Sequence, residues 1–248
     1  MPLRAVSLDL FDTLVDIHMD RLPLVEIAGR RIPSTYGLLH AASVHRHGLV
    51  FEEFAAALGG VDREFRDRLQ REHREVPTLE RFRAFARSIG RPDDDALAHT
   101  LTETHMGELR RHLTFHPHHV EVLGRLSRRV PLAVCSNFSH TDTARAVLAD
   151  AGLLDRFAGV VISMDTGARK PRPEIFRAAL ESLGAKPEET LHVGDSLDAD
   201  VAGASALGMP TAWLTRRVRD PEAALAAHTG ARPSHTIADL ADLEKLVT

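Results

Sequence analysis

Four short stretches of this sequence hold side chains of the kind that attack, neutralise or coordinate. They are Asp9-Leu10-Phe11-Asp12-Thr13-Leu14, Cys135-Ser136-Asn137, Lys170-Pro171-Arg172-Pro173 and Gly194-Asp195-Ser196-Leu197-Asp198-Ala199-Asp200. A carboxylate such as Asp9 can attack phosphorus or carbon and form a covalent intermediate, which divides one hard step into two. Attack on a phosphoryl dianion is opposed by charge repulsion, so a hard cation with oxygen ligands has to stand beside it. Asp9 and Asp195, with a backbone carbonyl from the first loop, suit Mg2+, which keeps several waters and needs few protein ligands. Ser136 and the Asn137 amide can donate to the non-bridging oxygens of a bound substrate, and Lys170 can neutralise charge in the transition state. Asp200 is better placed to hold Lys170 or a metal-bound water than to react.

The elements that must position these groups follow from the hydrophobic pattern. Short apolar runs at 3–10, 130–136, 159–163, 190–194 and 210–215 read as buried strands. Amphipathic stretches at 120–128, 142–151, 173–183 and 201–207 alternate with them as helices. Strict alternation predicts an α/β fold, a doubly wound parallel sheet with helices on both faces, and each reactive stretch lies at the carboxyl end of a strand. The block 16–112 differs. It shows no convincing strand run and reads as helices over 51–58, 61–73, 79–89 and 94–111, with Gly90-Arg91-Pro92 as a stop. The division predicted is a core of 1–15 and 113–248 and an all-helical insert of 16–112, standing where ligands bind in such folds.

Taken singly, each stretch reads equally well as a turn or a helix cap. Together and in this order they resemble the four motifs of the haloacid-dehalogenase superfamily of hydrolases. Asp9 to Leu14 is similar to the nucleophile loop and Ser136 to the hydroxyl motif. Lys170 in GARKPRPEIF is similar to the lysine motif, and Asp195 and Asp200 in GDSLDADVAGASALGM to the paired acids. The resemblance implies a Rossmann-like core, a helical cap inserted after the first motif (the subfamily I arrangement), Mg2+, and hydrolysis through Asp9.

One departure bears on the reaction. Phosphatases of this superfamily carry an aspartate two residues after the nucleophile, which protonates the leaving alkoxide. Here that place is Phe11, and Asp12 comes one position later. Residues two apart on an extended chain point the same way and residues three apart point oppositely, so Asp12 can serve as acid and base only if the loop turns sharply. Loss of a general acid removes about 10²–10⁴-fold. An aromatic residue at this place resembles the metal-independent 2-haloacid dehalogenases of the same superfamily, whose halide leaves without a proton. Asp195 argues the other way, because those enzymes lack the metal-binding acid. The function expected is a Mg2+-dependent phosphatase of a small phosphorylated metabolite. A dehalogenase is the second reading, and a non-catalytic protein binding a phosphorylated ligand or a partner is the third.

Substrate choice is expected from the insert. The stretch 25–36 combines two arginines, hydroxyl residues and the sole tyrosine, and Arg31, Ser34, Thr35 and Tyr36 are its candidate specificity residues, unless the stretch is a solvated hinge. A net charge of −4 gives no reason to expect nucleic acid or an anionic membrane, and no run is apolar enough to span a bilayer. The start lacks a signal-peptide pattern and the single cysteine, Cys135, points to a reducing cytoplasm. A small molecule is the partner expected; the sequence leaves the oligomeric state open. The 15 histidines include the clusters His45-Arg46-His47 and His116-Pro117-His118-His119. Their spacing fits no zinc pattern and no acid or cysteine lies near in sequence, so they read as solvated side chains on helices and at a helix start.

Overall fold

The computed structural model describes residues 2–247. The chain divides into two compact units, Met1–Asp16 with Phe115–Thr248, and Ile17–Thr114.

The first unit is an α/β layer structure. Among the described residues its sheet has six strands in the order His235–Ile237, Thr211–Leu214, Thr190–Gly194, Ala5–Leu8, Leu132–Ser136 and Gly159–Ile162, all parallel. The four central strands are buried at every position, which is why they appear in the sequence as apolar runs and not as alternating ones. The strand His235–Ile237 escaped the pattern because it is three residues long and two of the three are exposed. The helix Pro173–Leu183 has the predicted bounds, set by Pro173 in the first turn and Gly184 at φ 59 after the last. It packs Ile175, Phe176 and Ala179 with Cys135 and Ala204.

A helix expected over 201–207 begins instead at Leu197, as a π-type turn over Leu197–Ala202 that continues into Gly203–Ser205. The wider turn lets Ser196 O accept from the amides of both Asp200 (3.0 Å) and Val201 (3.1 Å). It turns Asp200 inward, and π-turns of this sort gather at functional sites.

The second unit is built around the side chains of Leu39, Phe54, Leu58, Phe82, Phe85 and Leu101. Its helices span Tyr36–His47, Phe51–Glu72, Thr78–Ser88 and Asp95–Arg111. Two sequence expectations are corrected here. The pair 51–58 and 61–73 is one helix: Gly59-Gly60 weakens it by about 1 kcal/mol per glycine, yet Phe54, Leu58 and Val61 keep one buried stripe running through. The block also carries strands, a hairpin of Leu24–Ile27 paired antiparallel with Arg30–Pro33. Its turn residues Ala28 (φ 50) and Gly29 (φ 74) both occupy the left-handed region that a tight two-residue hairpin turn requires. The hairpin's side chains are exposed or half-buried, so no apolar run betrayed it.

Candidate active site

The reactive stretches converge as the parallel sheet demands. Asp9 leaves the strand Ala5–Leu8 and its amide donates to Val193 O (2.9 Å), so the first strand end is stitched to the one that leads to Asp195. Asp9, Asp195 and Asp200 each place a carboxylate oxygen within 4.8 Å of the others. Lys170 is 4% exposed, and its Nζ donates to Asp9 Oδ1 (2.7 Å) and Asp200 Oδ1 (2.5 Å).

Three devices hold this arrangement. The Asn137 side chain clamps the lysine loop at both faces of one residue: its Oδ1 accepts from Lys170 N (2.7 Å) and its Nδ2 donates to Lys170 O (3.1 Å). Asp200 Oδ2 accepts from Ser196 N (3.0 Å), and Gly194 leaves the room for this, since a Cβ there would collide with the Asp200 carboxylate. Trp213 Nε1 donates to the Asp195 backbone carbonyl (2.8 Å), fixing the loop from the neighbouring strand. Ser136 is buried at the end of its strand.

The electrostatics are unbalanced. Burial acts against the Lys170 ammonium, but Asp200 and Asp9 more than offset it and raise its pKa. Burial would raise Asp200 too, yet Lys170 and His192 hold it well below the carboxylate range. Asp9 is raised by burial and by Asp200, against the pull of Lys170. The Asp195 carboxylate has no hydrogen bond or ion pair among the described residues, and burial with the charges of Asp9 and Asp200 pushes it up to about 7. Three carboxylates share one ammonium, and that surplus of negative charge with all-oxygen donors is what a hard divalent cation fits.

The loop after Asp9 does turn sharply, since Asp12 sits at φ 62 with its amide on Val15 O (2.7 Å). Its carboxylate is paired with Arg217 Nη1 (2.7 Å), and the adjacent Arg216 donates to the carbonyls of Asp12 and Thr13 (3.4 Å each). Phe11 meets Phe138 with ring centroids 4.6 Å apart. Cys135 is buried, its thiol pushed up to about 12 by burial, and is no nucleophile at neutral pH.

Sequence reasoning missed His192. It is 1% exposed, its Nε2 lies 3.1 Å from Asp200 Oδ1 and its Nδ1 3.1 Å from Ser7 Oγ. The signal was a polar residue inside an otherwise apolar buried run, TLHVG. The expectation of solvated histidines is corrected at two places. His119, at the helix start, is buried, and burial lowers its pKa to about 4. His47 is half-buried and stacks on Phe54, with centroids 5.3 Å apart.

Within the second unit lies a cavity of about 1010 Å³. Ser34, Thr35 and Tyr36 line it, but Arg31 does not; strand alternation gives that place to Arg30. Tyr36 donates to Asp62 Oδ2 (2.6 Å), Asp62 takes a two-pronged pair from Arg81 (2.6 and 2.7 Å), and Thr35 Oγ1 meets His105 Nδ1 (2.9 Å).

Residues 3–208 match the family model of haloacid dehalogenase-like hydrolases. The chain belongs to that family. A relative from Halopiger xanaduensis, ribulose-1,5-bisphosphate 5-phosphatase, is 32% identical over 68% of this chain and 73% of its own length. Phosphoserine phosphatase of Thermus thermophilus is 39% identical, and the match spans about half of each, 51% of this chain and 51% of that one. The crystal structure of a 2-haloacid dehalogenase from Pseudomonas syringae shares the fold, with a TM-score of 0.70 at 22% identity over 99% of this chain and 98% of that one. No helix of the described residues is long and apolar enough to cross a membrane.

Proposed function

We propose that this member of the family is a Mg2+-dependent phosphatase of a small phosphorylated metabolite, with Asp9 as nucleophile. The observation that carries the reading is the surplus of carboxylates, two buried and one half-buried, above all that of Asp195, which lacks a partner among the described residues. A metal-independent reaction has no use for that group, and it costs stability. The names of two relatives, both phosphatases, agree.

Lys170 engages Asp9 Oδ1, which leaves the second carboxylate oxygen to attack phosphorus. The P–O bond to the leaving group breaks as the aspartyl phosphate forms, and water then releases inorganic phosphate and regenerates Asp9. Ser136 and the Asn137 amide donate to the non-bridging oxygens, and Lys170 balances their charge. Asp9, Asp195 and the Phe11 carbonyl would hold Mg2+, with Asp200 in support. When bound, the ion supplies the positive charge that offsets repulsion between carboxylate and phosphate. Asp12 is engaged by Arg217, so a substrate with a good leaving group, such as an acyl phosphate, suits the site better than a simple alkyl ester. In the second unit Ser34, Thr35 and Tyr36 contribute to substrate choice, with Arg30 in place of Arg31. The free, buried Cys135 suits a reducing cytoplasm.

Phe11 favours a second reading, the 2-haloacid dehalogenase, in which halide leaves unprotonated. Phosphate release from a panel of phosphorylated metabolites, with Mg2+ or EDTA and with Asp9→Asn as control, separates the readings. Phosphate release that stops in EDTA and in Asp9→Asn supports the phosphatase. Chloride release from 2-chloropropionate that continues in EDTA supports the dehalogenase and overturns the first reading.

A further inference from the structure

Away from the paired acids, the first unit brings together a second set of ligand-type side chains. His118 and His119 stand in the first turn of the helix Pro117–Leu126, and Asp239 precedes the short turn Leu240–Asp242 near the end of the chain. One ligand atom of each lies within 4.8 Å of the others.

His119 is the telling member. It is 1% exposed, and its Nδ1 lies 2.9 Å from the Leu14 carbonyl oxygen. A carbonyl only accepts, so Nδ1 carries the proton and Nε2 of the neutral ring keeps its lone pair. That Nε2 is buried and has no hydrogen-bond partner among the described residues. Leaving a buried acceptor unpaired costs about 1–3 kcal/mol, and such an orphan in a native structure calls for an occupant. A histidine whose far nitrogen is fixed by a backbone carbonyl is the arrangement that orients metal ligands.

His118 Nε2 lies 2.9 and 3.2 Å from the two oxygens of Asp239. Two ligands on one Zn2+, each bonded at about 2.0–2.1 Å, stand about 2.9–3.4 Å apart, so an ion can replace the proton between them with little movement. His118 and Asp239 are exposed at 48% and 36% of their side chains, which gives an ion a route in and leaves a coordination place to water. His116, its ring tilted at 41° and 4.8 Å from that of His119, is already engaged by Asp16 (3.1 Å) and Arg216 (2.7 Å) and is not counted as a ligand.

We propose that His118, His119 and Asp239 form a site for a borderline transition-metal ion of the Zn2+ class, separate from the carboxylate site that takes Mg2+. Two imidazoles and one carboxylate favour Zn2+, Ni2+ or Cu2+, whereas Mg2+ prefers an all-oxygen set. An ion there ties the helix start to the C-terminal segment and, through His119, fixes the Leu14 carbonyl that ends the nucleophile loop. The inference stands whether or not the phosphatase reading does.

Zn2+ titration of the metal-stripped full chain by calorimetry, in millimolar Mg2+, tests it, with Co2+ absorption reporting the ligand set. The expected result is one Zn2+ per chain at micromolar Kd. His118→Ala and Asp239→Asn should each weaken it at least tenfold, while Asp195→Asn leaves it unchanged. His118 is exposed, and an Asn at 239 can still accept from the Ala241 amide as Asp239 Oδ1 does (2.8 Å), so both variants should keep the fold, which far-UV circular dichroism checks; His119→Gln, at a buried position, is not relied on. Zn2+ bound no tighter than about 100 μM, binding indifferent to His118→Ala, or binding lost in Asp195→Asn would each overturn the proposal.

Discussion

Replacing Lys170 with methionine tests the electrostatic account of the site most directly. Methionine fills nearly the same volume, so packing changes little and the ammonium is what is lost. In the wild-type protein that ammonium is 2.7 Å from Asp9 and 2.5 Å from Asp200, and both carboxylates are buried. Without it they face each other uncompensated, and removing one partner of a buried ion pair costs about 3–5 kcal/mol. For a chain of this size each kcal/mol moves Tm by about 2–4 °C, so the metal-free variant should melt about 6–20 °C lower at pH 8. The loss should shrink at pH 5. The uncompensated carboxylates acquire raised pKa values in the folded state, so the stability lost as pH rises is regained when they take up a proton. Adding Asp200→Asn removes one of the two charges and should return part of the loss, a coupling of at least about 1 kcal/mol in the double-mutant cycle. Thermal and urea unfolding in EDTA at the two pH values give all four corners. A double variant no more stable than Lys170→Met, at either pH, would refute the view that charge imbalance governs this cluster.

Asp195, pushed up to about 7, must lose its proton to bind metal, so apparent Mg2+ affinity should fall about tenfold per pH unit below 7 and level off above; a flat profile between about pH 5.5 and 7 counts against it as a ligand. In the metal-free protein the same raised pKa means that its stabilising share is present at low pH and lost as pH rises through 7, and saturating Mg2+ should restore it. Phe11→Asp supplies a carboxyl group where the superfamily's acid stands and should raise kcat for a simple phosphate monoester by about 10-fold or more; no gain would show that proton donation is not limiting. His105 is held neutral by burial, its pKa lowered to about 3, while the unfolded chain takes up the proton below about 6.5. Stability is therefore lost as pH falls, by about 2 kcal/mol between pH 7 and 5, and His105→Gln should flatten that slope in urea unfolding.

Much of the fold and the carboxylate site was legible because each depends on local pattern. A strand buried on both faces must be an apolar run, a parallel sheet must alternate strand with helix, and such a sheet gathers the loops leaving its strands at one edge. Asp9, Asp195, Asp200 and Lys170 could thus be brought together without coordinates. The hairpin Leu24–Pro33 was not legible, because exposed strands carry no apolar signature and its register rests on two left-handed turn residues. His192 stood in plain view as a polar residue in a buried run, but only the register with Ser7 and the inward π-turn show why it is tolerated.

The sequence by itself determined which groups are present: a carboxylate at the first strand end, a hydroxyl, an ammonium and paired acids in order, with Phe11 two residues after the first carboxylate. Tertiary structure decided how that chemistry is balanced. It gathered three carboxylates, those of Asp9 and Asp200 buried and that of Asp195 half-buried, around one ammonium, leaving that of Asp195 short of a partner, and it diverted Asp12 to Arg217, some 205 positions further along the chain. It also brought Asp239 to His118 across 121 positions of sequence. Ligand spacing along a chain reports only local geometry, whereas charge balance and ligand sets depend on distances in space that packing alone fixes.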